Sequence, residues 1–286
     1  MEQTIDGVLV DEASCFSDES GSHQARVEKE QRKLLAKVAT TVARVLEPGE
    51  SVRYVAASCS PYSTLELLTT GRLIHSVRRC VLVATDRRLL HLPTSSGLSP
   101  RGAVAQIRHG DVEEVSFGAL GGKLTMRYRN GKKEAFSRLS GRARKKLATL
   151  LPAETTDAPT AAAGRHPLCP RCGEALSLGV ARCGRCALPF KEKTRALLLA
   201  LVVPGGGYFY TGRTLFGVLD GLFEMILLLG LLVGLVEAAT GTADWPFVRL
   251  MAALLGIEKL VSVFHTLHYI EETLPGEKIT MQPAIP

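Results

Sequence analysis

The sequence predicts a multidomain α+β protein: a small β-barrel with a C-terminal helix, then a four-cysteine module, then an α-helical region of two or three apolar helices. Three observations predict it. Short apolar or alternating runs separated by turn residues fill residues 51–136. Two Cys-x-x-Cys pairs come next, Cys169/Cys172 and Cys183/Cys186. Beyond them lie long stretches with few charges, of which residues 196–212 carry none.

A chain of 286 residues has room for about two domains, and with 46% hydrophobic residues it can bury a core. Its formal charge of +7 is uneven. The first fifty residues are acidic on balance, and residues 51–150 hold the basic surplus. A patch of that sign attracts anionic headgroups, nucleic acid or acidic proteins, or is simply a solvated face. The seven cysteines are odd in number. The opening Met-Glu-Gln-Thr-Ile-Asp lacks the basic and apolar regions of a secretory signal. The expectation is a front half in the reducing cytosol and no disulfide framework.

Residues 1–23, rich in Ser, Asp and Glu, are expected to be a disordered tail. Residues 24–49 hold a helix, because Val27, Leu34, Leu35, Val38, Val42 and Val45 recur at helical spacing before Pro48-Gly49. Strands are expected at residues 51–58, 80–85, 89–92, 103–108, 112–117, 123–129 and 133–136. The last two flank Asn130-Gly131, a strong hairpin signal. Residues 141–151 read as a helix, with Ser140 as N-cap and Pro152 as stop. The segment 61–77 fits no element of this scheme. Residues 152–166 are a low-complexity linker expected to uncouple the sheet domain from the cysteine module.

Glu47-Pro-Gly-Glu50 before the first strand and Val83-Ala-Thr-Asp-Arg-Arg-Leu89 at a strand–turn–strand carry a resemblance. Residues 50–151 resemble the bacterial pleckstrin-homology-like domains, which are related in shape to GRAM domains. The resemblance implies a small barrel whose open end is capped by the final helix.

Cys169-Pro-Arg-Cys172-Gly and Cys183-Gly-Arg-Cys186 are two knuckles that together complete a tetrahedral Zn²⁺ site. Gly173 and Gly184 supply small residues for the turns, and Arg171, Arg182 and Arg185 offset the negative charge of four thiolates on one ion. Residues 167–190 resemble the short zinc ribbons found beside membrane segments in bacterial proteins. Redox-active Cys-x-x-Cys motifs come singly within a βαβ pattern, which is absent here. Four thiolates leave no open coordination position, so the zinc is expected to be structural.

Residues 194–271 are expected to be the membrane region. Residues 196–212 sit at the lower length limit for a crossing, with Pro204-Gly205-Gly206-Gly207 in the middle to break the helix or let it pack closely. Residues 215–239 are the longer candidate, with Gly230-x-x-x-Gly234 as a contact face. Phe209-Tyr-Thr-Gly-Arg213 after a Gly-rich helix resembles a small two-helix membrane domain with a Phe-Tyr-x-Gly-Arg turn, which implies membrane location and no particular activity. Residues 246–270 are apolar but interrupted by Arg249, Glu258, Lys259, His265 and His268. Glu258 and His265 share a helix face, and Asp220 and Glu224 lie one turn apart. They form either a polar seam for ions or protons or charges held near headgroups. Residues 272–286 are a tail. Positive residues before the first crossing keep the N-terminal domains inside.

Three functions compete. The first is a membrane-anchored, cytoplasm-facing binding or scaffold protein of a bacterial inner membrane. It would dock anionic lipid or a protein through Arg127, Arg129, Lys132 and Lys133 of the hairpin and Arg142, Arg144, Lys145 and Lys146 of the closing helix. The second is a zinc-ribbon nucleic-acid regulator, disfavoured because the sheet is poor in stacking aromatics. The third is an ion or small-solute transporter, supported by the acidic pair. No Walker loop, nucleophile elbow or His-Glu-x-x-His is present, and His75, His91 and His109 have no evident catalytic partner in sequence. The chain is read as a non-enzyme of the first kind.

Overall fold

The computed structural model describes residues 2–118, 122–151, 163–242, 245–270 and 274–276. It is a mixed α+β structure in two compact units, Met1–Pro189 with Pro275–Pro286, and Phe190–Leu274.

The first unit begins with strands β1 (Glu2–Ile5) and β2 (Val8–Asp11), followed by a single helical turn, α1 (Glu12–Cys15). The expected disordered tail is therefore folded. Asp6 and Gly7 both have positive φ (49° and 79°), the backbone of a tight type I′ hairpin turn. Val8, Val10, Cys15 and Phe16 are buried. Helix α2 (Ala25–Val45) then presents Val27, Leu35, Val38, Ala39, Val42 and Val45 on one buried face.

Strands β3 (Val52–Cys59), β4 (Arg79–Thr85), β5 (Arg88–Pro93) and β6 (Val104–Arg108) form an antiparallel meander. β2 joins its β3 edge in parallel, and β10 (His166–Leu168) joins its β6 edge, giving a seven-stranded sheet. Strands β7 (Val112–Gly118), β8 (Lys123–Tyr128) and β9 (Lys133–Phe136) make a second sheet. Helix α5 (Gly141–Leu150) comes after β9, and the Ser140 hydroxyl caps it by accepting the Ala143 N–H. Segment 61–77, which had no place in the sequence scheme, contains α3 (Thr64–Thr70) and α4 (Ile74–Val77) between β3 and β4. It is fixed by a buried Arg78–Glu66 ion pair at 2.6 Å.

The large sheet is covered on both faces, and this explains the unbroken apolar runs of β4 and β5. Val81, Val83, Leu90 and Leu92 point to one core with α2 and β2. Leu82, Ala84 and Leu89 point to the other, shared with Leu124, Met126 and Phe136 of the second sheet and Ala143 and Leu147 of α5. Buried Gln31 of α2 takes the place of a strand partner at Val55, on the β3 edge beyond its pairing with β2 at Val52. Its amide donates to Val55 O and accepts from Val55 N, each at 2.8 Å.

The expected closed barrel is not formed. The two sheets are separate, parting at the 3₁₀ turn His109–Asp111 between β6 and β7, with one isolated bridge among the described residues, between Cys59 and Ser137, joining them elsewhere. The expected linker also behaves differently over its described part. Arg165 pairs with Glu134 at 2.9 Å and His166 opens β10, so residues 163–166 attach the cysteine module to the sheet instead of uncoupling it. Residues 152–162 lie outside the described residues, as does most of the tail 272–286.

The second unit is helical: α6 (Lys193–Val202), α7 (Gly206–Tyr210), α8 (Thr214–Ala239) and α9 (Trp245–Ile270). Pro204-Gly205 does break the first apolar segment. Gly205 has φ 65°, and a Cβ there would lie 2.0 Å from Gly217 O. Gly230 and Gly234 face Met251 and Val248 of α9, so the Gly-x-x-x-Gly stretch is a helix contact. Among the described residues, α8 alone is long and apolar enough to cross a membrane. Its 26 residues span ~39 Å, against ~30 Å of hydrocarbon.

Candidate metal centre

Two local turns build the cysteine site. In each, the first cysteine's N–H donates five residues on, Cys169 to Glu174 O (2.8 Å) and Cys183 to Leu188 O (2.9 Å). In each, its carbonyl accepts from four residues on, from Gly173 N–H (2.8 Å) and Ala187 N–H (3.0 Å). The two knuckles are thus copies of one backbone design, although their sequences share little beyond the cysteines. Facing each other, they bring Cys169 Sγ to 3.5 Å from Cys186 Sγ and Cys172 Sγ to 3.6 Å from Cys183 Sγ.

All four sulfurs lie within 4.8 Å of one another and all are free thiols. A tetrahedral ion with sulfurs at ~2.3 Å has sulfur–sulfur edges of ~3.8 Å. The four side chains therefore fit one metal ion. Burial pushes the Cys183 thiol up, but the N–H groups of Cys186 and Arg185 and the sulfurs of Cys172 and Cys169 outweigh it and bring it to about 7. Burial instead pushes the Cys169 and Cys172 thiols up, so of these three it is Cys183 that gives up its proton most readily without a metal ion.

The residue four after each leading cysteine needs positive φ: Gly173 at 72° and Ala187 at 55°. Gly184, expected from sequence to serve the second turn, is not at positive φ. A Cβ on Gly173 would also sit 3.1 Å from Arg44 O at the end of α2. Left-handed backbone costs an L-residue roughly 1–2 kcal/mol. Ala187→Gly is expected to stabilise the protein by about 1 kcal/mol and Gly173→Ala to destabilise it by a similar amount or more, read from chemical denaturation of the metal-loaded protein.

The eight basic residues do not share a free face. Arg142 pairs with Glu30 at 3.0 Å and Lys145 with Glu19 at 2.8 Å. Lys146 is buried and donates to Ser17 Oγ and Asp18 O. Arg144 donates to Gly118 O, Arg129 to Gly110 O, and Arg127 pairs with Glu113 and Glu114. The acidic N-terminal segment supplies partners for α5, so much of the charge asymmetry read from the sequence is used inside the molecule. Lys132 and Lys133 stay exposed on the β8–β9 hairpin.

One constellation was not visible in sequence. Buried Ser60 Oγ lies 2.8 Å from His91 Nε2. Arg165 Nη1 lies 3.4 Å from His91 Nδ1. A guanidinium only donates, so Nδ1 accepts and Nε2 carries the proton that goes to Ser60. Burial, then Arg165 and Arg78, hold the His91 pKa well below its usual value. The imidazole is thus turned the wrong way to take a proton from the serine. The other three cysteines, Cys15, Cys59 and Cys80, are buried, and burial pushes the Cys15 thiol up to about 12.

No family model matches the chain, and no curated protein matches it. A solved structure, the C-terminal domain of an unknown protein from Leishmania infantum, is similar at 12% identity and a TM-score of 0.26, covering 43% of this chain and 94% of that one.

Proposed function

We propose that the chain is a membrane-anchored binding or scaffold protein of a bacterial inner membrane. Its N-terminal unit faces the cytoplasm, and its cysteine module is a structural zinc ribbon. The observation that carries this reading is the uncovered surface of α8. Leu215, Leu222, Ile226, Leu229 and Leu232 are each more than half exposed, and only 17% of its most apolar stretch is buried. An exposed apolar surface of this kind is unfavourable in water and suited to lipid. Zinc is favoured by the all-thiolate donor set and the near-tetrahedral sulfur spacing. With no open position, the ion would hold the two knuckles together and take no part in chemistry.

The pleckstrin-homology-like reading of residues 50–151 is supported by the order of four strands, three strands and a helix whose Ala143, Leu147 and Leu151 enter the core between the sheets. The docking surface contracts to the hairpin bearing Lys132 and Lys133, where each cation near an anionic bilayer contributes about 1 kcal/mol. The inward pairing of the α5 cations weakens the nucleic-acid alternative, which needs a free basic face.

Fractionation tests the reading. The full chain is expected to sediment with membranes, to resist high salt, to be released by detergent and to carry one zinc ion. Recovery of a soluble, zinc-free protein would overturn it. A liposome assay of the sheet unit needs residues 1–189, because α2 covers one face of the sheet and β1 and β2 extend its β3 edge. Lys132→Glu with Lys133→Glu is expected to abolish any retention on anionic vesicles.

A further inference from the structure

We propose that Asp220, Glu224 and Glu258 bind one hard divalent cation between α8 and α9. Asp220 and Glu224 sit one turn apart on α8, and Glu258 approaches from α9. One carboxylate oxygen of each lies within 4.8 Å of the others. Oxygens held at about 2.1–2.5 Å by a single Mg²⁺ or Ca²⁺ ion lie about 3–5 Å apart, so the span matches a shared ion.

Glu258 marks the site as more than a group of acids. It is 7% exposed, its carboxylate is turned towards the other two, and neither of its oxygens accepts a hydrogen bond among the described residues. Glu224 is 2% exposed, and its Oε2 is equally without a donor. Buried carboxylate oxygens without donors are costly unless a cation or a proton meets them.

The surrounding groups say which kind of cation. Lys259 Nζ pairs with Glu224 Oε1 at 2.5 Å and donates to Ala200 O at 3.0 Å, so it is committed to one side of one carboxylate. Ser262 Oγ donates to Asp220 Oδ2 at 3.2 Å. Three carboxylates against one ammonium leave two negative charges, and a divalent ion brings the cluster to neutrality. Every available donor is oxygen, which selects a hard ion such as Mg²⁺, Ca²⁺ or Mn²⁺ over the thiophilic metal suited to the cysteine site. The inference rests on burial within the helical unit and needs no bilayer, so it stands or falls apart from the membrane reading.

Mn²⁺ is the probe. Full-length protein in detergent micelles, washed with a carboxylate chelator and kept reduced, is titrated with Mn²⁺ while the signal of free Mn²⁺ is followed by electron paramagnetic resonance. One saturable Mn²⁺ per chain is expected, displaced by Mg²⁺ or Ca²⁺. Its affinity should fall about tenfold or more in Glu258→Gln and in Asp220→Asn. Each variant is admitted by an unchanged helical circular dichroism spectrum. Glu258→Asp, which keeps the charge, should bind more tightly than Glu258→Gln and so reports on the site even if a neutral variant loosens the helices. Absence of saturable Mn²⁺ binding, or equal binding by wild type and Glu258→Gln, overturns the proposal. A wild type that ignores Mn²⁺ while Glu258→Gln unfolds at a higher temperature also overturns it, and assigns the cluster to shared protons.

Discussion

Cys183→Ser is expected to take the protein from one bound zinc per chain to essentially none and to unfold the cysteine module. The module has little else to hold it. Its large buried apolar side chains are Leu168, Leu176, Leu188 and Phe190, while Leu178 is 80% exposed. Zinc bound by four thiolates contributes about 10 kcal/mol or more to the folding of such a module, which is comparable to or more than its few buried apolar side chains supply. The effect should spread. Gly173 packs on the end of α2, and β10 pairs with β6, so the sheet loses an edge strand when the knuckles come apart. Metal analysis together with limited proteolysis reads the outcome, with cleavage expected at Arg182 and Arg185. A strong chelator acting on the reduced wild-type protein should reproduce both results. A variant that keeps one zinc per chain and the wild-type cleavage pattern would remove the structural role from this site.

How much of this was legible in the sequence depends on the range of the interaction. The strands from 52 to 136 follow from short apolar or alternating runs and from Asn130-Gly131, and the four-cysteine cluster from the spacing of its two pairs. The N-terminal hairpin carried the same kind of signal in Ile5-Asp6-Gly7-Val8. It was masked because Glu2, Gln3 and Thr4 lie on an exposed edge strand and so read as a solvated tail. Long-range pairing is where reading from sequence loses its grip. Ser60 meets His91, and Arg142 meets Glu30 across more than a hundred residues, with no periodicity to announce either. The basic residues of the hairpin and the closing helix are a case in point. Local charge density located the cations but not Asp18, Glu19 and Glu30, which an acidic N-terminal segment folds against them. The same limit applied to α8 and α9. The acids could be placed on helix faces, but the convergence of Glu258 on Asp220 and Glu224 required the crossing itself.

Arg88→Ala is expected to cost about 3–5 kcal/mol of the stability of the sheet unit, because it removes one member of a buried ion pair and leaves the other. Arg88 is 3% exposed and Glu50 1%. Arg88 reaches Glu50 through Nε (2.9 Å) and Nη2 (2.6 Å), bonds Gln106 through Nη1, and caps the C-terminus of α2 by donating to Val45 O at 2.9 Å. Thr85 donates to the same carboxylate, Asp86 accepts the Ser51 N–H, and Arg87 pairs with Glu47. The two short motifs that suggested a family from sequence, Glu47-Pro-Gly-Glu50 and Thr85-Asp-Arg-Arg88, are therefore two halves of one network that fastens the end of α2 to the β4–β5 turn. This gives them a folding role that needs no ligand. The pair also sets an acid limit. Burial alone would raise the Glu50 pKa, but Arg88, the Glu47 N–H and Thr85 outweigh it and hold the carboxyl below its usual value. Its contribution is complete above the unfolded-state pKa of about 4.3 and is lost as pH falls through the lower folded value. Without Arg88 the buried carboxyl has lost its cation and should titrate at higher pH, so the variant should begin to lose stability nearer neutrality. Denaturant melts of wild type, Arg88→Ala and Arg88→Met/Glu50→Leu between pH 4 and 8 separate the terms. The double variant replaces both charges with apolar groups and should recover most of the loss. If Arg88→Ala alone melts within about 1 kcal/mol of wild type at neutral pH, some other contact fastens these elements together.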